Sequence, residues 1–167
     1  MITDNKTIEL TVYQKQHEQQ VIDLILGIQQ KEFNVPITLN DQPDLLDVES
    51  VYCQGNGNFW VVLSGEKVIG TIALIDYGNA KGALRKMFVH KDFRGKETGT
   101  AQLLLDGLTD WAVAKNFDEI SLGTIERLIG AIKFYLKNGF VAVNKNELPK
   151  GFPLMKVDTL FFTKKLS

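Results

Sequence analysis

Two β-rich runs, residues 59–63 (FWVVL) and 68–75 (VIGTIALI), are separated only by Ser64, Gly65, Glu66 and Lys67. So short a connection, with a glycine in it, leaves no room for a crossover, so the runs must fold back on each other as an antiparallel hairpin. Residues 83–89 (ALRKMFV) are a third run of the same kind and extend the hairpin into a sheet.

The flanking segments carry helical periodicity. After an alternating strand at 7–13 (TIELTVY), Val21, Leu24, Ile25 and Ile28 mark the apolar side of a helix reaching about Phe33. Residues 34–57 are broken by Pro36, Pro43, Gly55 and Gly57, with a short helix predicted over 44–51, begun near Pro43. A long helix begins near Gly99, where Ala101, Leu104, Leu105, Leu108, Trp111 and Ala112 share one face and Gln102, Asp106 and Asp110 the other. Residues 119–122 read as a short strand. Leu128, Ala131, Ile132, Tyr135 and Leu136 then define a last helix stopped by Asn138 and Gly139. Residues 140–143 follow as strand, and 156–164 (KVDTLFFTK) as the closing strand after a loop holding Pro149 and Pro153. This order predicts an α+β fold, a mixed and mostly antiparallel sheet with helices on both faces, and excludes doubly wound and sandwich architectures.

The 167 residues, 44% hydrophobic, suit a single domain over 1–167 with a buried core. A net charge of −1 argues against nucleic acid or an anionic membrane as the main partner. With Cys53 as the one cysteine and only His17 and His90, an intramolecular disulfide is excluded and a metal site is poorly supplied. Cys53 reads as a half-buried thiol and His17 as a surface imidazole. The stretch from Met1 to Glu9 is polar where a signal peptide would be apolar, and no apolar run approaches the ~20 residues of a membrane span, so a cytoplasmic protein is expected.

Chemistry concentrates in 87–105 (MFVHKDFRGKETGTAQLLL), where a strand passes through a glycine-bearing loop into a helix N-terminus. Free N–H groups there, at the positive end of the helix dipole, suit an anion such as phosphate. Over 85–100, Arg85, Lys86, Lys91, Arg94 and Lys96 outweigh Asp92 and Glu97, so positive charge is local in a nearly neutral chain. An ordinary solvated loop, with glycines serving only geometry, is the other reading.

The run Arg94-Gly95-Lys96-Glu97-Thr98-Gly99 resembles the Arg/Gln-x-x-Gly-x-Gly/Ala loop of the GCN5-related N-acetyltransferases. The likeness extends upstream through Phe88-Val89-His90-Lys91-Asp92-Phe93, and downstream to Ala131-Ile132-Lys133-Phe134-Tyr135-Leu136-Lys137-Asn138-Gly139-Phe140, similar to the family's helix-then-Gly-Phe signature. The resemblance implies acetyl-coenzyme A as donor, in a cleft where the fourth and fifth strands splay apart, and no metal. It implies that backbone groups of Met87, Phe88 and Val89 pair with the pantetheine arm and thioester. The N–H groups from Gly95 through Lys96, Glu97, Thr98 and Gly99 to Thr100 would hold the pyrophosphate, with the Arg94 and Lys96 side chains at the rim. Tyr135 would protonate the departing thiolate; periodicity alone favours a core tyrosine, and the matching Phe134, Lys137 and Gly139-Phe140 around it reverse that preference.

The sequence also departs from the family. Glu97 replaces the loop's first glycine, Leu128 stands where many members have asparagine, and the usual positions of a general base hold Ala83 and Gly123. Asp76 and Glu126 are the substitutes, each read otherwise as a solvated turn residue. The implied activity is N-acetylation of a small-molecule or peptide amine by direct attack in a ternary complex; a non-catalytic coenzyme A-binding or acyl-coenzyme A-sensing module is the alternative. A nucleotide-binding domain is disfavoured, because no Gly-x-x-x-x-Gly-Lys-Ser/Thr is present. Asp41, Asp44, Asp47 and Glu49 read either as charges suited to a short helix's N-terminus or as an acidic lip for a cationic amine, and a homodimer is left open.

Overall fold

The computed structural model describes residues 7–166, so the expectation about the polar start at Met1 falls largely outside the described residues. Seven strands make one sheet in the order β1-β2-β3-β4-β5-β7-β6. These are β1 (Glu9–Val12), β2 (Asn58–Ser64), β3 (Lys67–Asp76), β4 (Lys81–Val89), β5 (Glu119–Thr124), β6 (Val141–Val143) and β7 (Leu160–Lys165). The predicted hairpin closes at Ser64 against Lys67, with Gly65 at φ +62° in its turn. Every pairing is antiparallel except β4 with β5.

That parallel pairing is short. It runs from Lys81 opposite Glu119 to Ala83 opposite Ser121, after which the strands part: β4 stays with β3 while β5 continues with β7. The cause lies in β4. Ala73 faces Arg85 and Thr71 faces Phe88, so Lys86 and Met87 together oppose Ile72 alone. This is a β-bulge, which bends the strand that carries it, and Lys86 takes φ +53° within it.

Four helices cover the two faces. On one, α3 (Thr100–Ala114) lays Leu104, Leu105, Leu108 and Ala112 against Trp60, Val62, Ile72 and Leu74, and α4 (Ile129–Lys137) adds Tyr135 beside Phe140 and Phe162. On the other, α1 (Glu18–Leu26) and α2 (Val48–Tyr52) pack Val21, Ile22, Ile25, Val48 and Tyr52 over Phe59, Val61, Val68 and Ala73. No helix among the described residues is long and apolar enough to cross a membrane.

Several local expectations change. The first helix continues past Leu26 as a wider π-type turn over Gly27–Glu32. The short helix expected over 44–51 divides into a 3-10 turn, Pro43–Leu46, and α2, with Asp47 at φ −150° between them. The closing strand begins at Leu160 rather than Lys156, because the preceding residues turn so that Asp158 donates its N–H to the Met155 carbonyl. His17 is buried rather than superficial: its Nδ1 accepts the Gln14 N–H at 3.0 Å and its ring meets Tyr13 edge-on. Cys53 is exposed.

The bulge is anchored by a polar network beneath it. Lys86, its side chain 4% exposed, donates from Nζ to Gln42 Oε1 at 2.5 Å and pairs with Asp44 Oδ2 at 3.4 Å. The Tyr52 hydroxyl donates to the same carboxylate oxygen at 2.5 Å, and Gln42 donates to Gln29 Oε1 at 2.8 Å. Burial pulls the Lys86 pKa down, while Asp44 opposes that shift. Breaking such a pair leaves one charge buried alone, at a cost of about 3–5 kcal/mol. Lys86→Met is therefore expected to lower the melting temperature by about 6–20 °C. Adding Asp44→Asn should restore part of that loss, which thermal denaturation of the single and double variants will measure.

Candidate functional site

The parting of β4 and β5 opens a cavity of about 110 Å³. Residues 84–88 of β4 form one wall and Gly123, Thr124 and Ile125 another. α4 contributes Ala131 and Tyr135, with Leu128 at its N-cap, the segment after α1 contributes Phe33, Val35 and Ile37, and the loop before β7 contributes Met155, Val157 and Asp158. Beyond Ala83 the β5-facing edge of β4 has no strand partner, although Phe88 and Val89 still pair with β3 on the other side. At the end of this edge the Val89 carbonyl accepts from Arg94 Nε at 2.9 Å.

That strand leads into the glycine-bearing loop. Gly95 and Gly99 adopt φ +103° and +71°, left-handed conformations that turn the chain into α3. No side chain caps the helix at Gly99, so the first-turn N–H groups that lack helical acceptors are free to meet an anion. Lys96 and Glu97 are exposed and Thr98 is half-buried. Thr100 is fully buried, and its Oγ1 has no partner among the described residues. The Arg94 guanidinium is engaged elsewhere: it grips Glu32 through both terminal nitrogens and lies 6.0 Å from the Phe33 ring centroid. It thus ties the loop to the end of the α1 extension, leaving Lys96 as the cation of the expected rim pair with no ion pair among the described residues.

Tyr135 is 5% exposed, packed among Phe134, Phe140 and Phe162, yet it lines the cavity. Its environment raises the phenol pKa through desolvation, with a smaller contribution from the negative charge of Asp158, so the proton is firmly held at neutral pH. The two readings of this residue, core and cavity, are both true of its position.

Asp158 is the group that sequence reasoning missed. Its carboxyl lies over Gly123 so closely that a Cβ there would fall 2.4 Å from Oδ2. Burial raises its pKa to about 6, against the opposing pull of Arg85 and Lys86. Read as part of a strand over 156–164, Asp158 carried no signal; the side-chain-free Gly123 at the end of β5 was the clue available.

The other candidates lie elsewhere. Ala83 is fully buried. Asp76 accepts N–H groups from Asn56 and Gly78 at 2.9 and 3.0 Å as a turn residue, and Glu126 is exposed outside the cavity. Asp41 accepts from Thr38 and Asp44 from Tyr52, so these acids serve local structure and not a lip on the cavity. His90 caps a turn, accepting the Asp92 N–H at 3.1 Å. No group of three or more His, Cys, Asp or Glu that could hold a metal occurs among the described residues.

The profile of the acetyltransferase (GNAT) family matches residues 23–140. The chain belongs to that family. This GNAT chain superposes with a TM-score of 0.93 on a GNAT acetyltransferase from Staphylococcus aureus Mu50, 37% identical, covering 96% of this chain and 100% of the other. It is 33% identical over 125 residues to N-acetylaspartate synthetase of Xenopus tropicalis, covering 71% of this chain and 45% of that protein. It thus spans less than half the length of that relative. It also shares its fold, at TM-score 0.72 and 17% identity over 95% of this chain and 99% of the other, with the paia N-acetyltransferase of Thermoplasma acidophilum, solved in complex with coenzyme A.

The electrostatics of this GNAT cavity can be read directly. Carboxyl-detected NMR should find Asp158 titrating at about 6, well above the ~3.9 of an unperturbed aspartate. Arg85→Gln should move that midpoint higher still, since the cation favouring the ionised form is gone. A midpoint near ~4 would place the carboxylate in open water.

Proposed function

We propose that this protein transfers an acetyl group from acetyl-coenzyme A to a small-molecule or peptide amine, by direct attack within a ternary complex. The observation that carries the reading is the unpartnered edge of β4 running straight into the uncapped N-terminus of α3, with Tyr135 on the cavity between the parted strands. An extended, amide-bearing arm suits the strand edge at Met87, Phe88 and Val89. A pyrophosphate suits the N–H groups of the loop from Gly95 to Thr100 other than that of Gly99, which donates to the Gly95 carbonyl at 3.1 Å. The positive φ values of Gly95 and Gly99 support that fit, because they aim the loop backbone without side chains in the way.

In the transfer, the amine nitrogen forms a bond to the acetyl carbonyl carbon while the carbon–sulfur bond breaks. Tyr135 gives its proton to the departing thiolate. The apolar wall made by Leu128, Ala131 and Ile125 keeps water from the thioester, so the amine is the nucleophile that reaches it.

Two variants test the reading. Gly99→Val has space for its side chain, since the nearest atom to a Cβ there is the Lys96 carbonyl oxygen at 4.0 Å. At φ +71° a β-branched residue nevertheless strains the loop by about 1–2 kcal/mol. Relief of that strain takes the loop out of the conformation that aims its N–H groups, so affinity for acetyl-coenzyme A by calorimetry should fall about tenfold while circular dichroism still reports a folded chain. Undiminished affinity would remove the phosphate assignment.

Tyr135→Phe keeps the packed ring and removes only the proton. The expected result is a fall in kcat of about 10²-fold, at the low end for general acids because the leaving thiol is itself acidic at ~8.5, with donor affinity and melting temperature near the parent's. Full activity would take Tyr135 out of the mechanism. Donor binding without acetylation of any amine would overturn the transfer itself.

A further inference from the structure

Three charged residues line the cavity: Arg85, Lys86 and Asp158. Lys86 is already paired with Asp44 and bonded to Gln42. The other two are not matched. Arg85 donates from Nη2 to the Met155 thioether sulfur at 2.8 Å, and no carboxylate among the described residues lies within ion-pair distance of its guanidinium. A thioether is a weak acceptor for a group that presents five donors in a rigid fork suited to a carboxylate. No hydrogen bond or ion pair among the described residues reaches the Asp158 carboxylate either, and it fills the space over Gly123 on the cavity wall.

Two opposite charges therefore share one largely apolar cavity without closing on each other. A simple alkylamine would satisfy only Asp158, and a simple acid only Arg85, leaving the other charge desolvated and unpaired as the cavity fills. We propose that the acceptor is an amino acid, an amine that also carries a carboxylate, with Arg85 holding the carboxylate and Asp158 receiving the proton of the attacking ammonium. The assignment rests on the transfer reading above and names the substrate class and the base for it.

The step balances. The ammonium gives one proton to the Asp158 carboxylate, which returns it to solvent, and the freed lone pair forms the bond to the acetyl carbon. The electron pair of the broken carbon–sulfur bond leaves on sulfur, which takes the Tyr135 proton. The second proton lost from nitrogen restores the phenol. The groups facing Asp158 are Arg85 and Lys86 from β4 and Tyr135 from α4, while Gly123 and Thr124 of β5 offer nothing ionisable. With its carboxyl titrating at about 6, Asp158 is ionised at neutral pH yet basic enough to take a proton in transit. The rate should accordingly rise with pH through that midpoint.

The test is coenzyme A release by the full chain at saturating acetyl-coenzyme A. The acceptors are the proteinogenic amino acids, each set against its carboxamide and its decarboxylated amine. At least one amino acid should be acetylated with kcat/KM about 10²-fold or more above both matched partners. Arg85→Gln, or Arg85→Lys should the first variant fold poorly, should shrink that ratio at least tenfold, chiefly through KM. Asp158→Asn should lower kcat by about 10²-fold and abolish the acid limb near pH 6.

Equal use of a decarboxylated amine, or a ratio that survives Arg85→Gln, would overturn the carboxylate assignment while transfer itself stands. An acid limb that persists in Asp158→Asn would remove Asp158 as base. A donor that binds with no acceptor acetylated would bring down the transfer reading and this inference together.

Discussion

The site depends on one strained residue and the charge that holds it. Lys86 sits at φ +53° in the β4 bulge, and its ammonium is fastened beneath the sheet to Asp44 and Gln42. An L-residue in that conformation costs free energy that the surrounding structure must offset, and here the offset is a buried ion pair reinforced by the Tyr52 hydroxyl. Because the bulge bends β4 away from β5, the pairing of the two strands stops at Ala83 and the cavity opens directly beyond it. A regular strand at this point would have continued the ladder and closed the site.

The same network explains why the irregular region between α1 and β2 has the shape it does. Gln29 in the α1 extension, Gln42 and Asp44 in the loop and its 3-10 turn, and Tyr52 in α2 converge through side-chain bonds on a single point under β4. Arg94 adds a second tie, from the loop before α3 to Glu32 at the end of the same extension. The cover of the cavity is therefore coupled to both the bulge and the glycine loop. Asp44, read as part of an acidic lip, and Arg94, read as part of a phosphate-facing rim, each hold local structure instead, the one through Lys86 and Tyr52 and the other through Glu32.

Across the cavity, the end of β5 and the turn before β7 make a complementary arrangement. Gly123 has no side chain, and the Asp158 carboxyl takes that space from a different part of the chain. The turn that delivers it is also what delays β7 until Leu160. Tyr135 lines the cavity from α4, its ring packed against Phe140 and Phe162 in an aromatic cluster. Phenol, carboxylate and guanidinium thereby arrive on three separate elements.

The amino-acid sequence by itself determined what is local and periodic. The hairpin at 64–67, the apolar stripe of α3, the helix stop at Gly139 and the glycine loop at 94–99 all follow from spacing and backbone chemistry within a few residues, and the structure places them accordingly. The family and the mixed sheet were legible for the same reason, since two ordered motifs and an element order are linear information. Only the tertiary structure decided which charges meet. Asp158 and Gly123, Lys86 and Asp44, and Arg94 and Glu32 are pairs distant in the chain, and no periodicity relates them. Their contacts exist because a bulge, a shortened parallel pairing and a turn before β7 bring those positions together, and a charge's role is set by the partner it finds in space.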